Sequence, residues 1–223
     1  NILGTDKLGR DVLSRIMIGS RVSLALSLTI IALGGGAGVI LGLISGYSGR
    51  KVDSVIQRGV EVILAMPTIL VALVFVFTVG RSFESVMFIL SPFLAARFTR
   101  IVRGETLSVR ERDFVAVAKV IGTPSWLILM KHILPNVFNT VIVLATLEVG
   151  HLILLEASLS FLGVGVPPPN PAWGLMVAGG REFISSAYWI ALFPGLAILF
   201  AVLSINLFGD WLRDTLDPRR RQL

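Results

Sequence analysis

The sequence predicts an all-α integral membrane protein, and three observations carry that prediction. Of its 223 residues, 54% are hydrophobic and only 15% charged, with a mean hydropathy of +0.83; soluble domains carry about a quarter charged residues. Uncharged runs long enough to cross about 30 Å of hydrocarbon recur along the chain. The basic residues gather in alternate connections between these runs, the asymmetry that sets topology in membranes. The net charge of +6 is therefore a topology signal rather than a nucleic-acid footprint. The absence of cysteine excludes disulfides, thiolate metal sites and a Cys nucleophile. The two histidines, His132 and His151, stand far apart in sequence, which speaks against a His-based metal site.

In chain order, residues 1–21 are mixed polar, and Asp11 is positioned to cap a short amphipathic helix with Val12, Leu13, Ile16 and Met17 on one side. Val22–Tyr47 is uncharged and forms the first span. Within it Gly34, Gly38, Gly42 and Gly46 recur every fourth residue, a row that lets a neighbouring helix approach closely; a hinge at Gly34-Gly35-Gly36 is the alternative. A polar link with Arg50, Lys51, Asp53, Arg58 and Glu61 leads to the second span, Val62–Gly80, where Pro67 predicts a kink or an opened first turn. Arg81 and Glu84 mark a tight turn. The third span has only Val86–Ala96 free of charge, interrupted by Pro92. It crosses only if Arg97 and Arg100 snorkel to the interface or protein surrounds it.

The stretch 97–135 is the longest polar interruption, with seven basic residues against Glu105, Glu111 and Asp113. Phe114, Val117, Ala118 and Ile121 recur at helical spacing and predict one helix face. Gly122 is suited to the left-handed position after that helix. Thr123 then reads as an N-cap and Pro124 as the first residue of a second helix, with Trp126, Leu127, Met130, Ile133 and Leu134 on its apolar face and Pro135 closing it. Two amphipathic helices outside the bilayer need the rest of the protein, the lipid surface or a cytoplasmic partner to cover their apolar faces.

The fourth span is Asn136–Leu155, carrying Glu148 and His151, with Glu156 just beyond it at the outer boundary. Charges inside a membrane are costly and mark candidate functional sites. Glu148 and His151 are candidates to line a translocation path; pairing with an Arg or with backbone groups is the structural alternative. A Pro- and Gly-rich loop follows through Gly174, and Trp173, Tyr188 and Trp189 suit a membrane–water interface. The fifth span is about Trp189–Phe208, and the tail carries Arg219-Arg220-Arg221. With 97–135 inside and spans alternating, fourteen of the twenty Lys and Arg fall inside and six outside. This places the N-terminus outside and the C-terminus in the cytoplasm. The chain opens at Asn1 with no signal peptide visible, so one preceding span is expected to be missing.

Ala116-Val117-Ala118, three residues, Gly122, nine residues, then His132-Ile133-Leu134-Pro135 resembles the Glu-Ala-Ala signature of ABC importer permeases. Spacing, Gly122, Leu134 and Pro135 match; Ala116 stands in place of Glu, Val117 of Ala and His132 of Ile. Three further segments resemble the C-type permeases of dipeptide, oligopeptide and nickel importers: Gly4-Thr5-Asp6 with Gly9–Arg15, Gly19 and Arg21; Ala157–Gly163 with Pro168 and Trp173-Gly174; and Phe193-Pro194-Gly195 with Asn206 and Gly209–Arg219. The resemblance implies a type I ABC importer permease fold, one transmembrane domain over residues 1–223, in a bacterial or archaeal inner membrane. It implies pairing with a homologous permease, two cytoplasmic ATPases and an extracytoplasmic substrate-binding protein. The 97–135 stretch would be the coupling segment seated on an ATPase, through Phe114, Ala116, Val117, Ala118, Ile121, Gly122, Trp126, Leu134 and Pro135. Its substrates would be di- or oligopeptides, with nickel, glutathione-like peptides and sugars open.

No catalytic constellation is visible. Ser158, Ser160 and His151 lack a Gly-x-Ser-x-Gly elbow and an acidic partner. No Gly-x-x-x-x-Gly-Lys-Ser/Thr run exists, so this chain builds no phosphate-binding loop of that kind and ATP is expected on a partner subunit. No cofactor is expected in this chain. The rival reading is an ion-coupled secondary transporter using Glu148 and His151; a third is a membrane scaffold without transport.

Overall fold

A computed structural model describes residues 1–216; the Arg219–Arg221 cluster lies outside the described residues. Among the described residues four helical stretches are long and apolar enough to cross a membrane: Val12–Tyr47, Phe83–Arg110, Ser125–Phe161 and Trp189–Leu216. A fifth forms if two helices broken at Met66-Pro67 count as one span. In order the α-helices are α1 (Val12–Ile30), α2 (Gly36–Tyr47), α3 (Arg50–Ala65), α4 (Thr68–Val79), α5 (Phe83–Arg110), α6 (Asp113–Val120), α7 (Ser125–Ile128), α8 (Leu134–Phe161), α9 (Trp173–Gly180) and α10 (Trp189–Leu216), of which α6 and α9 lie outside the spans. A five-residue π segment, Ile31–Gly35, joins α1 to α2, and another, Leu129–Ile133, joins α7 to α8.

Several boundaries differ from the sequence reading. The helix expected at Val12 is capped by Asp11, whose Oδ2 accepts the Ser14 N–H at 2.8 Å and the Ser14 hydroxyl at 2.6 Å, but it is not a separate short helix: it runs on through Val22 into the first span. The second span is split by Pro67. Met66, the residue before it, is extended at ψ 135°, so α3 stops at Ala65 and α4 keeps only 12 residues. The third span continues through Arg97 and Arg100 to Arg110 as one 28-residue helix. It does so because protein covers it: Phe98, Thr99, Val102 and Thr106 are all buried. The fourth helix runs through Pro135 to Phe161 rather than ending near Leu155, so Glu156 lies within it and is buried.

The chain forms two compact units, one of residues 1–30, 68–90 and 147–208, the other of 31–67, 91–146 and the chain from Gly209. In the second unit the glycine row packs α2 on α5. A Cβ at Gly34, Gly38, Gly42 or Gly46 would lie 2.5–2.7 Å from atoms of Ser91, Ala95, Phe98, Val102 or Thr106. The row is thus a close-packing surface, as the four-residue spacing predicts. At the end of this contact Arg103 clasps Asp53 through Nε at 2.5 Å and Nη2 at 2.6 Å. The Ser45 hydroxyl donates to the same carboxylate at 2.6 Å, and Arg110 donates to the Gly46 carbonyl at 3.1 Å. These bonds tie α2, α3 and α5 together just before the chain turns into α6.

In the first unit, Trp173 is buried rather than interfacial. Its indole N–H donates to the Ile16 carbonyl at 2.9 Å, and its ring packs with Ile153 and Ile198. Trp189 donates to the Thr5 carbonyl at 3.1 Å and so holds the N-terminal loop. Tyr188 remains exposed.

Candidate functional site

The element expected to couple to a partner is built from α6, the turn at Gly122, α7 and the π segment. α6 ends as the sequence predicts. Gly122 has φ +79°, its N–H donates to the Lys119 carbonyl at 3.1 Å, and the Thr123 N–H donates to Ala118 at 3.0 Å. This is the paired C-terminal bonding of a Schellman turn. The following cap differs from the sequence reading. Thr123 has given its N–H to that turn, and Pro124, extended at ψ 143°, is the N-cap without a side-chain bond. Its carbonyl accepts from Leu127 at 2.9 Å and Ile128 at 3.1 Å, which starts α7 one residue later than expected.

Pro135 does not close the second helix. A proline inside a helix removes one N–H and crowds the carbonyl four residues back. Here the π segment Leu129–Ile133 immediately precedes it and loosens that turn, and the Asn136 side-chain amide donates to the His132 carbonyl at 2.7 Å. The helix therefore runs without interruption from the candidate coupling element into the span of α8.

The apolar residues divide between two faces. Val115 and Ala118 of α6, with Ile128 and Ile133, are buried against Leu43, Val102, Val109 and Val137. Phe114, Val117, Val120, Ile121, Trp126 and Met130 point away from this core, with Val117 60% and Trp126 65% exposed. Of the predicted α6 face, Ala118 thus belongs to the inner side, and Val115 and Ile128 are core residues the helical pattern did not single out. Ala116 and Gly122 are exposed, as is Pro135, while Leu134 is half-buried against the core. Two contacts brace the element: the Phe114 and His132 rings meet at a tilt of 38° with centroids 6.3 Å apart, and Lys119 Nζ lies 5.6 Å from the centre of the Tyr47 ring.

The candidate path residues lie in the other unit, three positions apart on α8. Glu148 is buried, whereas His151 is exposed; each has an interaction partner. Glu156 is buried rather than at an outer boundary. Its Oε1 accepts the Ser160 hydroxyl at 2.7 Å. Among the described residues no cluster of His, Cys, Asp and Glu could hold a metal ion.

Residues 38–222 match the family model of the binding-protein-dependent transport system inner membrane component. The chain is 41% identical over 219 residues to a putative peptide transport system permease protein of Brucella suis biovar 1, covering 98% of this chain and 74% of that one. It is 42% identical over 218 residues to the dipeptide transport system permease protein DppC of Alkalihalophilus pseudofirmus, covering 98% and 72% respectively. Its fold resembles a chain in the crystal structure of an amino acid ABC transporter, with a TM-score of 0.70 at 15% identity over 92% of this chain and 99% of that one. The chain belongs to the family of inner membrane components of binding-protein-dependent transport systems, and it is a transmembrane permease subunit of an ABC importer.

Proposed function

We propose that this permease serves the import of di- or oligopeptides and that the α6–α7 element is its seat on a cytoplasmic ATPase. The peptide substrate is supported by relatives named for peptide and dipeptide transport at about 40% identity. The seat is supported by one observation above all: a structured apolar ridge of Phe114, Val117, Ile121 and Trp126 that the chain's own core leaves uncovered. Ridges of this kind mark partner surfaces, and Arg112, Lys119 and Lys131 beside it match a cytoplasmic position. The resulting complex pairs this subunit with a homologous permease, two ATPase subunits that hold the ATP, and an extracytoplasmic binding protein. The C-terminus is cytoplasmic.

In this reading ATP favours one arrangement of the ATPase pair by binding it more tightly. The seated α6–α7 element moves with it, and the continuous helix through Pro135 carries that motion into α8. The ion-coupled alternative at Glu148 and His151 gains no support from the family, and the geometry separates the two side chains into one buried and one exposed.

The test exploits the lack of native cysteine. Ala116→Cys places one thiol on the exposed side of α6. A nucleotide-dependent crosslink to a Cys-bearing ATPase encoded alongside is expected. A thiol that is labelled from the cytoplasm yet never crosslinks would overturn the seat, and uptake driven by an ion gradient without ATP would overturn the importer mechanism.

A further inference from the structure

The N-terminal loop and the outer Pro-rich loop enclose a cavity of about 180 Å³ in the first unit. Pro168, Met176 and Ile190 contribute an apolar wall, and Lys7, Arg10, Arg15 and Asp6 line the polar end. The charges there do not balance. Among the described residues Asp6 is the only carboxylate lining the cavity, and it faces three cations. Its oxygens are also heavily used. Oδ1 accepts the N–H groups of Leu8 at 2.9 Å and Arg10 at 3.0 Å, while Oδ2 accepts Arg10 Nε at 2.7 Å. Arg15 reaches that same oxygen only at 3.6 Å. Its side chain is 16% exposed, and beyond this one long contact its five guanidinium donors keep room for a further acceptor. Lys7 stands 6.0 Å from the Phe183 ring centre. Asp11 uses Oδ2 for the α1 cap and does not line the cavity.

We propose that this cavity is a binding site for a carboxylate attached to a small apolar group. A carboxylate would take the unspent donors of Arg15 and Arg10 and the Lys7 ammonium, since charge-assisted bonds to carboxylates are the strong ones. The apolar wall would take the attached group. Pockets that engulf a whole small ligand run to about 300–1,000 Å³, so this smaller space accepts one end of a ligand or one projecting side chain. That chemistry has two sources in an importer: the C-terminal end of a peptide, or an Asp or Glu side chain presented by the binding protein.

The first experiment needs no transport. The full importer complex in lipid nanodiscs is titrated with N-acetyl-leucine, and with N-acetyl-leucinamide as the same body without the charge, by ligand-observed NMR. Saturable binding of the acid but not of the amide is expected, weakened about tenfold by Lys7→Gln and by Arg15→Gln. Lys7 is exposed, so its variant keeps the fold intact where Arg15→Gln disturbs the Asp6 cluster. Equal binding of acid and amide, or full-strength binding by Lys7→Gln, overturns the site. The second arm rests on the importer reading and measures ATP-driven peptide uptake by Lys7→Gln. A raised half-saturating concentration of binding protein assigns the carboxylate to that protein. A raised half-saturating concentration of peptide, with binding protein in excess, assigns it to the substrate. No shift in either overturns the site's part in transport. Absence of ATP-driven uptake by the wild-type complex would instead overturn the importer reading, and leaves the binding arm to be judged alone.

Discussion

Two glycines two residues apart on α2 are expected to respond to the same substitution with opposite sign. At Gly38 a new Cβ would stand 2.5 Å from the Ala95 carbonyl oxygen, 2.5 Å from Phe98 Cβ and 3.1 Å from Ala95 Cα. Ordinary carbon contacts lie at about 3.5–4.0 Å, so α5 must retreat by about 1 Å, and two of the obstructing atoms are backbone. The retreat also opens the contacts at Gly34 and Gly42 and stretches the Thr99 hydroxyl bond to the Gly38 carbonyl, already 3.3 Å. Overpacking of this kind costs about 1–3 kcal/mol, against about 0.5–1 kcal/mol returned by replacing a helical glycine with alanine. At Gly36 nothing lies within 4 Å of the new Cβ, so only the favourable part remains. Because two of the obstructing atoms are backbone, the upper part of the overpacking cost, about 2–3 kcal/mol, applies at Gly38, so Gly38→Ala is expected to lower stability by about 1–2.5 kcal/mol and Gly36→Ala to raise it by about 0.5–1 kcal/mol. The return is common to both, so the variants differ by about 2–3 kcal/mol and, at about 2–4 °C per kcal/mol for a chain of this size, should melt roughly 4–12 °C apart. The assay is the melting temperature of the detergent-solubilised complex, read by fluorescence-detected size exclusion after heating. A Gly38→Ala variant as stable as wild type, or a Gly36→Ala variant equally weakened, would refute the packing role of the glycine row.

The Asp53–Arg103 clasp, with side chains 22% and 31% exposed, should show a coupling of about 2 kcal/mol in a double-mutant cycle with Asp53→Asn and Arg103→Met; additive single effects would exclude a net stabilising bond. Gly122 has φ +79° and open space at its Cβ, so substitutions should rank by tolerance of left-handed backbone rather than by size: Gly122→Asn near wild type in melting temperature, and Gly122→Val lower by about 1–2 kcal/mol. An uptake loss in Gly122→Asn at unchanged melting temperature would locate the partner's surface at that turn. Burial opposes ionisation of Asp6, but the N–H groups of Arg10 and Leu8 and the Arg10 guanidinium outweigh it and hold the carboxyl below its ordinary value of 3.8. Its stabilising effect on the N-terminal loop is thus complete above that value and disappears as pH falls through the lowered one. Hydrogen exchange at Leu8 and Arg10 should accelerate, relative to its intrinsic rate, only below about pH 4; acceleration already at pH 6 would contradict it. Trp173→Phe removes the bond to the Ile16 carbonyl and should cost about 1 kcal/mol, checked by the same melting assay.

The sequence by itself determined the membrane class, the spans to within a few turns, the Asp11 cap, the Gly122 turn and the glycine row. Each of these is local or periodic: a carboxylate three residues before an N–H, a residue free to take positive φ, small residues at a helical repeat. Tertiary structure decided what depends on neighbours distant in the chain. Arg97 and Arg100 made α5 look too short to cross, yet packing on the α2 glycines about sixty residues earlier covers the helix between and beyond them. The helical pattern of α6 identified an apolar face, but only the core at Leu43, Val109 and Val137 shows that Val115 and Ala118 turn inward and Phe114, Val117 and Ile121 outward. Trp173 and Glu156 resembled boundary residues because hydropathy along the chain reports distance from a span's end. Whether such a side chain meets lipid headgroups or the protein interior is fixed by how the helices pack: the Ile16 carbonyl that Trp173 bonds lies far outside any window on the sequence, and the Ser160 bond to Glu156, although only four residues away, does not by itself tell that the pair is buried.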